Sequence, residues 1–155
     1  MNAEHTANAT RFAALYLRLA LGLSFLSAVA DRFGLWGPPG RPGVAWGTFE
    51  NFLSYTASLN PLVPDALIPA LGWGVTIAEI VVGVALVVGL WTRAAAIGGA
   101  ALLLAFALGM IVGDGLKAPF DASVFTASAG ALLLAFHSRS AWSLDAWLTR
   151  GRPGG

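Results

Sequence analysis

No cysteine occurs anywhere in the 155 residues, which excludes disulfides, dithiol exchange and thiolate metal sites within this chain. Charge is nearly as scarce. Only 11% of residues are Asp, Glu, Lys or Arg, against about a quarter in soluble domains. A chain so poor in charge cannot coat a globule with polar side chains, so lipid must take the place of that coat. The net charge of +1 and the lack of a basic cluster leave nothing to grip a phosphate backbone, which excludes nucleic acid as a partner. Histidine is limited to His5 and His137, far apart and without H-x-x-x-H spacing, so no metal site is expected. No phosphate loop, nucleophile elbow or zinc motif occurs.

What remains is apolar: 57% hydrophobic residues and a mean hydropathy of +0.72. The runs are long enough to cross a bilayer, at about 20 residues each. Four spans are predicted, over residues 12–30, 66–90, 94–113 and 122–137. Residues 1–10 read as a polar, flexible leader, 11–137 as the membrane domain and 138–155 as a polar tail. Between the first two spans, Gly37-Pro38-Pro39-Gly40-Arg41-Pro42-Gly43 breaks the chain. Trp46, Phe49, Phe52, Leu53 and Tyr55 then recur at helical spacing, which predicts a short interfacial helix, aromatic side down. The turn Trp91-Thr92-Arg93 is short, so the second and third spans pack antiparallel. Asp121 precedes the fourth run and suits a helix cap. The fold class is therefore an all-α integral membrane protein, an antiparallel four-helix bundle with a short interfacial helix in the first outer loop.

Orientation follows the distribution of Arg and Lys. Arg11, Arg93, Arg139, Arg150 and Arg152 fall on one side, and Arg32, Arg41 and Lys117 on the other. Five against three favours both termini in the cytoplasm. Arg93 reads as a cytoplasmic anchor to lipid phosphate. A cleaved signal peptide ending at Ala28-Val29-Ala30 is the competing reading of the first run, and Arg18 within the apolar stretch opposes it. Trp36, Trp46, Trp73, Trp91, Trp142 and Trp147 lie near span ends as an aromatic belt. Gly22, Gly83, Gly98-Gly99 and the G-x-x-x-G of Gly109 and Gly113 offer flat strips for helix packing, with dimerisation as the lesser alternative.

Two charges interrupt the spans. Arg18 lies 13 residues before Asp31, and Glu79 lies 14 residues after Asp65. At about 1.5 Å per residue, both fall roughly 20 Å from one membrane face if Asp31 and Asp65 share a level. This predicts an intramembrane Arg18–Glu79 pair. Such charges mark functional sites, and arginine's planar fork suits a carboxylate. The pair is either a polar site, for a proton relay or a quinone-like head group, or a staple that fixes helix register. Asp31, Arg32, Asp65 and Trp73 form a candidate rim of an outer cavity; end-capping and snorkelling is the alternative. Thr76, Thr126 and Ser128 are expected to bond back to their own helices.

Leu17-Arg18-Leu19-Ala20-Leu21-Gly22-Leu23-Ser24-Phe25-Leu26 resembles the first-helix pattern of the DoxX family. Ala78-Glu79-Ile80-Val81-Val82-Gly83 and Gly89-Leu90-Trp91-Thr92-Arg93-Ala94-Ala95 resemble its later segments. Arg18, Glu79 and Arg93 match the family's polar positions. Ala30-Asp31-Arg32 departs from the Gly and Lys that many members carry there. The resemblance implies a small four-helix bacterial inner-membrane protein, similar to the DoxD-type subunit of a thiosulfate:quinone oxidoreductase. The expected function is thus an accessory or quinone-interacting subunit of a membrane oxidoreductase or oxidative-stress complex. It would bind lipid and a redox partner subunit, with oligomerisation open, and have no cofactor of its own beyond a quinone. A non-catalytic scaffold or binding protein is the alternative, and a small-solute transporter ranks last.

Overall fold

The computed structural model describes residues 3–137 and 143–145. Every regular element among them is helical. The first helix, α1 (Ala3–Arg32), is 30 residues long, about 45 Å. It exceeds a hydrocarbon core of about 30 Å, and its first turns, on the expected leader, are exposed. The loop that follows folds back because Asp31 Oδ2 accepts hydrogen bonds from the N–H groups of Ala45 (3.1 Å) and Trp46 (2.8 Å). Gly47, with φ +69°, turns the chain beneath Pro39, where a Cβ would lie 2.6 Å from the Pro39 nitrogen.

The second helix, α2 (Phe49–Leu59), starts at Thr48, whose hydroxyl accepts from Asn51 N–H. The sequence expectation of a short aromatic helix in this loop holds. A single 3-10 turn, Asp65–Leu67, leads into α3 (Ile68–Val88), where Pro69 occupies the first turn and no N–H is missed. Gly89 ends α3 in the left-handed conformation, its N–H bonded to Ala85 O; this is the glycine stop expected of a helix C-terminus. After Trp91, itself left-handed at φ 47°, comes α4 (Thr92–Gly113). The last stretch is α5 (Ala118–Asp121) and α6 (Val124–His137), separated by Ser123 at φ 54°.

Among the described residues, three helices are long and apolar enough to cross a membrane: Glu4–Arg32, Asp65–Val88 and Thr92–Gly113. Val124–Phe136 is a shorter apolar helix. The four-residue α5 precedes it, and the 14 residues of α6 rise about 21 Å. The chain is a helical membrane bundle. Asp121 ends α5 instead of capping α6, and its carboxylate pairs with exposed Lys117 one turn earlier.

Small residues set the helix spacing, as expected where lipid provides no hydrophobic drive for association. Gly22 of α1 meets α3 so closely that a Cβ would lie 2.9 Å from Gly83 O. Gly99 of α4 lies against Val82 and Phe25. The G-x-x-x-G of α4 does not have its nearest neighbours on another spanning helix. It receives α2: a Cβ on Gly113 would lie 2.7 Å from Leu59 Cδ2, and one on Gly109 3.6 Å from Leu59 Cβ. Gly72 of α3 takes Leu53 in the same way. Helix α2 is thus seated across one end of the bundle. The core proper comprises Leu21, Phe25, Leu86, Ala95, Ala96, Ala100, Ala131, Leu134 and Ala135; it extends away from α2, with Leu21 and Phe25 at its border. Ser128 Oγ donates to Ala100 O across the α4–α6 contact at 3.0 Å, and not to its own helix.

Candidate functional site: a buried ion pair beneath the second helix

Glu79 is 2% exposed and its charge is met by a guanidinium, but that of Arg32 and not of Arg18. The Gly22–Gly83 contact explains the exchange. Antiparallel helices in that register place Arg18, four residues before Gly22, level with Val87. That is eight residues past Glu79, about 12 Å away along the helix. The expected pairing assumed Asp31 level with Asp65. In the actual register Asp31 is level with Gly74, nine residues further along α3, about 13 Å displaced.

Side-chain direction completes the account. Cα–Cβ bonds in a helix tilt toward its N-terminus. On α1 that direction runs from Arg32 into the bundle; on antiparallel α3 it runs from Glu79 back toward the α2 end. The two side chains therefore reach for one another. Arg18 leans in the same direction as Arg32, and from its position that leads away from Glu79, to the end where α3 turns into α4.

Arg32 is as buried as its partner, at 2% exposure. Besides the ion pair, Arg32 Nη1 donates to Thr76 Oγ1 at 2.9 Å. Thr76 can accept because its own proton goes to Gly72 O at 2.8 Å, the within-helix bond read from the sequence. The guanidinium carbon lies 3.8 Å from the Phe52 ring centre and 5.3 Å from that of Trp46, close enough for a cation–π attraction. Arg32 Nε is enclosed without an acceptor. Phe52 belongs to α2 and Trp46 to the loop before it. The interfacial segment thus completes the charge site from above, which the sequence reading, with its aromatic face directed at lipid, did not reach. The amphipathic spacing was the signal available.

Below and beside the pair lies a cavity of about 420 Å³. Its α2 end carries Arg32, Glu79, Tyr55, Thr56 and Asn60; the rest is apolar, with Leu21 and Phe25 of α1 and Leu103 and Phe106 of α4 among the walls. Tyr55 OH donates to Asp114 Oδ2 at 2.6 Å and ties α2 to the end of α4. Burial, with help from that bond and the Asp114 charge, pushes the Tyr55 phenol up to about 12.

Of the expected rim, Arg32 alone lines this cavity. Asp31 borders a second, open hollow on the outside of α1 and serves to hold the loop. Trp73 is half exposed and packs against Phe49, ring centres 4.6 Å apart and planes tilted by 39°. Asp65 starts the 3-10 turn, exposed. Arg93 is exposed, its guanidinium 5.5 Å from the Phe136 ring centre.

At the opposite end, Asp145 was missed altogether. Its carboxylate accepts from the N–H groups of Trp91 (2.8 Å) and Thr92 (2.9 Å), and its own N–H donates to Gly89 O (3.0 Å). It supplies the cap that the first turn of α4 lacks locally. Burial acts to raise the Asp145 carboxyl, but the two N–H bonds and the Arg18 charge outweigh it and hold the group below the usual carboxylate range. Arg18, 4% exposed, lies against Gly89 in this cluster. The expectations for Arg139, Trp142, Trp147, Arg150 and Arg152, and for the tail apart from 143–145, fall outside the described residues. Among the described residues no group of three or more His, Cys, Asp or Glu could hold a metal ion.

The geometry defines a polytopic helical membrane protein with a charge-balanced polar site walled into one end of its bundle. A family model, methylamine utilisation protein MauE, matches residues 10–117, which run from α1 through α4 and include both Arg32 and Glu79. The chain belongs to the MauE family. The resemblance to DoxX is thereby corrected: similar placement of one Arg, one Glu and a short Thr-Arg turn in apolar sequence is not enough to separate two membrane families. The link to quinone that rested on DoxX falls with it. No curated protein and no solved structure matches the chain.

Proposed function

We propose that this chain is a membrane-embedded accessory component of a methylamine-utilisation system, working beside a partner that carries the oxidative chemistry. The match over residues 10–117 carries this reading. It covers the helices that position Arg32 and Glu79, so the buried site lies within the family's shared body. The lack of cysteine supports a supporting role over thiol exchange. The ion pair also speaks against carriage of methylammonium or another cation: Glu79 has its counter-charge in Arg32, and a second cation would meet a guanidinium at close range. The arginine distribution favours both ends in the cytoplasm, and the bacterial inner membrane is the location this reading assigns.

The test is genetic. Deleting the gene in a bacterium that grows on methylamine should abolish growth on that amine and leave growth on succinate unchanged. The intact chain should restore it, and Arg32→Gln should not. Undiminished growth of the deletion strain on methylamine would overturn the reading. Reporter fusions at each terminus check the topology.

A further inference from the structure

The cavity beneath α2 is not sealed. Ser24, Ala28 and Trp46 line both it and the open hollow of about 590 Å³ on the outside of α1. Ser24 is exposed although it lines the interior space, so the wall is breached beside it. Ser24 lies eight residues before Arg32 on α1, about 12 Å deeper into the bundle. That level belongs to the spanning part of the helix, and an opening there faces acyl chains and not water. Ser24 Oγ donates to Ala20 O at 2.8 Å, so its hydroxyl is turned back onto its own helix.

The lining is ordered along the cavity. Polar groups gather at the α2 end, while α1, α4 and α6 supply apolar walls through Leu21, Phe25, Leu103 and Ala127. The polar end carries no net charge, because Arg32 and Glu79 neutralise each other. An ion entering this space would lose its hydration without a free counter-charge, at a cost of several kcal/mol. A purely apolar molecule would leave the Asn60, Thr56 and ion-pair dipoles facing carbon. The volume of about 420 Å³ lies within the range of about 300–1,000 Å³ usual for small-molecule sites.

We infer that this cavity takes the oxygen-bearing head and the first part of the chain of an uncharged, membrane-dissolved amphiphile, which enters sideways past Ser24. The head group sits at the α2 end and the chain runs back through the breach into the bilayer. Helix α2, held by Leu59 on Gly109 and Gly113 and by Tyr55 on Asp114, closes the path from the aqueous side. This goes beyond the accessory role and does not depend on it.

Photolabelling of the full chain in phosphatidylcholine nanodiscs tests it. Three probes share one diazirine-bearing sixteen-carbon chain and differ in head group: an alcohol, a carboxylate and an ammonium. The alcohol should label the stretches 21–28 and 102–106 about tenfold more than either charged probe does, the ratio that about 1.4 kcal/mol of preference gives. Excess unlabelled hexadecanol should compete it away. Ser24→Trp should suppress this labelling without lowering the unfolding temperature, since Ser24 is exposed. Equal labelling by all three probes, labelling spread evenly over lipid-facing helix surfaces, or no effect of Ser24→Trp would overturn the inference. A chain that fails this test yet restores growth on methylamine refutes the ligand alone; one that passes it while the deletion strain grows normally refutes the accessory role alone.

Discussion

Arg18 and Arg32 stand on one helix, both less than 5% exposed, yet they occupy two different kinds of site. Arg32 is drawn into the bundle, stacked beneath Phe52 and committed to Glu79. Arg18 belongs to the turn end, with Gly89 and Asp145. Both side chains follow the same helix rule and reach toward the N-terminus of α1. What differs is what that direction offers. From the last turn of α1 it leads into a hollow end roofed by α2; from the middle of α1 it leads out of the alanine-rich, solidly packed half to a capped turn. An intramembrane arginine is thus read by where its side chain ends, not by where its Cα sits.

The largest expected effect separates the two arginines. Arg32→Met strands Glu79 and should cost about 3–5 kcal/mol of stability, the penalty for an uncompensated buried charge. Arg18→Met should cost less, because Asp145 keeps its two backbone N–H partners. Unfolding titrations in mild detergent compare them directly, and equal losses would erase the contrast. Arg32→Met combined with Glu79→Leu should recover most of the loss, since a matched pair and an apolar pair of similar volume are near equal in energy.

The seat of α2 comes next. Gly113→Val places side-chain atoms where Leu59 Cδ2 and Ser58 O already lie within 2.8 Å of a Cβ. The clash should cost about 1–3 kcal/mol and lift α2, which proteolysis within 49–59 would detect as faster cleavage. Gly98→Val, at a position where the nearest contact is 3.8 Å away, should leave cleavage unchanged.

At the turn end, Asp145→Ala removes a cap and should cost about 0.5–2 kcal/mol. This contribution depends on pH with a definite sign. The folded carboxyl titrates below the ordinary value of 3.8, so its stabilisation is present above that value and is lost as pH falls through the lowered one. Asp145→Asn should accordingly flatten the acid limb of a stability–pH curve, and an unchanged limb would count against the clamp.

The smallest effect belongs to the latch. Tyr55→Phe loses one hydrogen bond, worth about 0.5–1.5 kcal/mol. The Tyr55 phenol is raised from 10.0 to about 12, so its contribution is present below pH 10.0 and is lost as pH rises through about 12. A spectrophotometric phenol titration that finds Tyr55 ionising at the ordinary value would remove the latch from the account.

Much of this protein follows from composition and periodicity. Scarce charge with long apolar runs dictates helices in lipid, because backbone groups there must bond within their own segment. Gly37–Gly43, the aromatic spacing of 46–55 and the short turn at 91–93 mark the connections. Glu79 announces itself as a buried charge. Its partner was beyond reach of the sequence, for register between antiparallel helices is set by where Gly22 and Gly83 touch, and the chain carries several small residues that could have served. The role of Gly109 and Gly113 as the seat of α2, and of Asp145 as a cap for a helix 53 residues earlier, likewise arise only when distant segments meet. Helix formation is a local property of sequence and solvent; the pairing of charges depends on the relative shift of two rods, which side-chain packing alone decides.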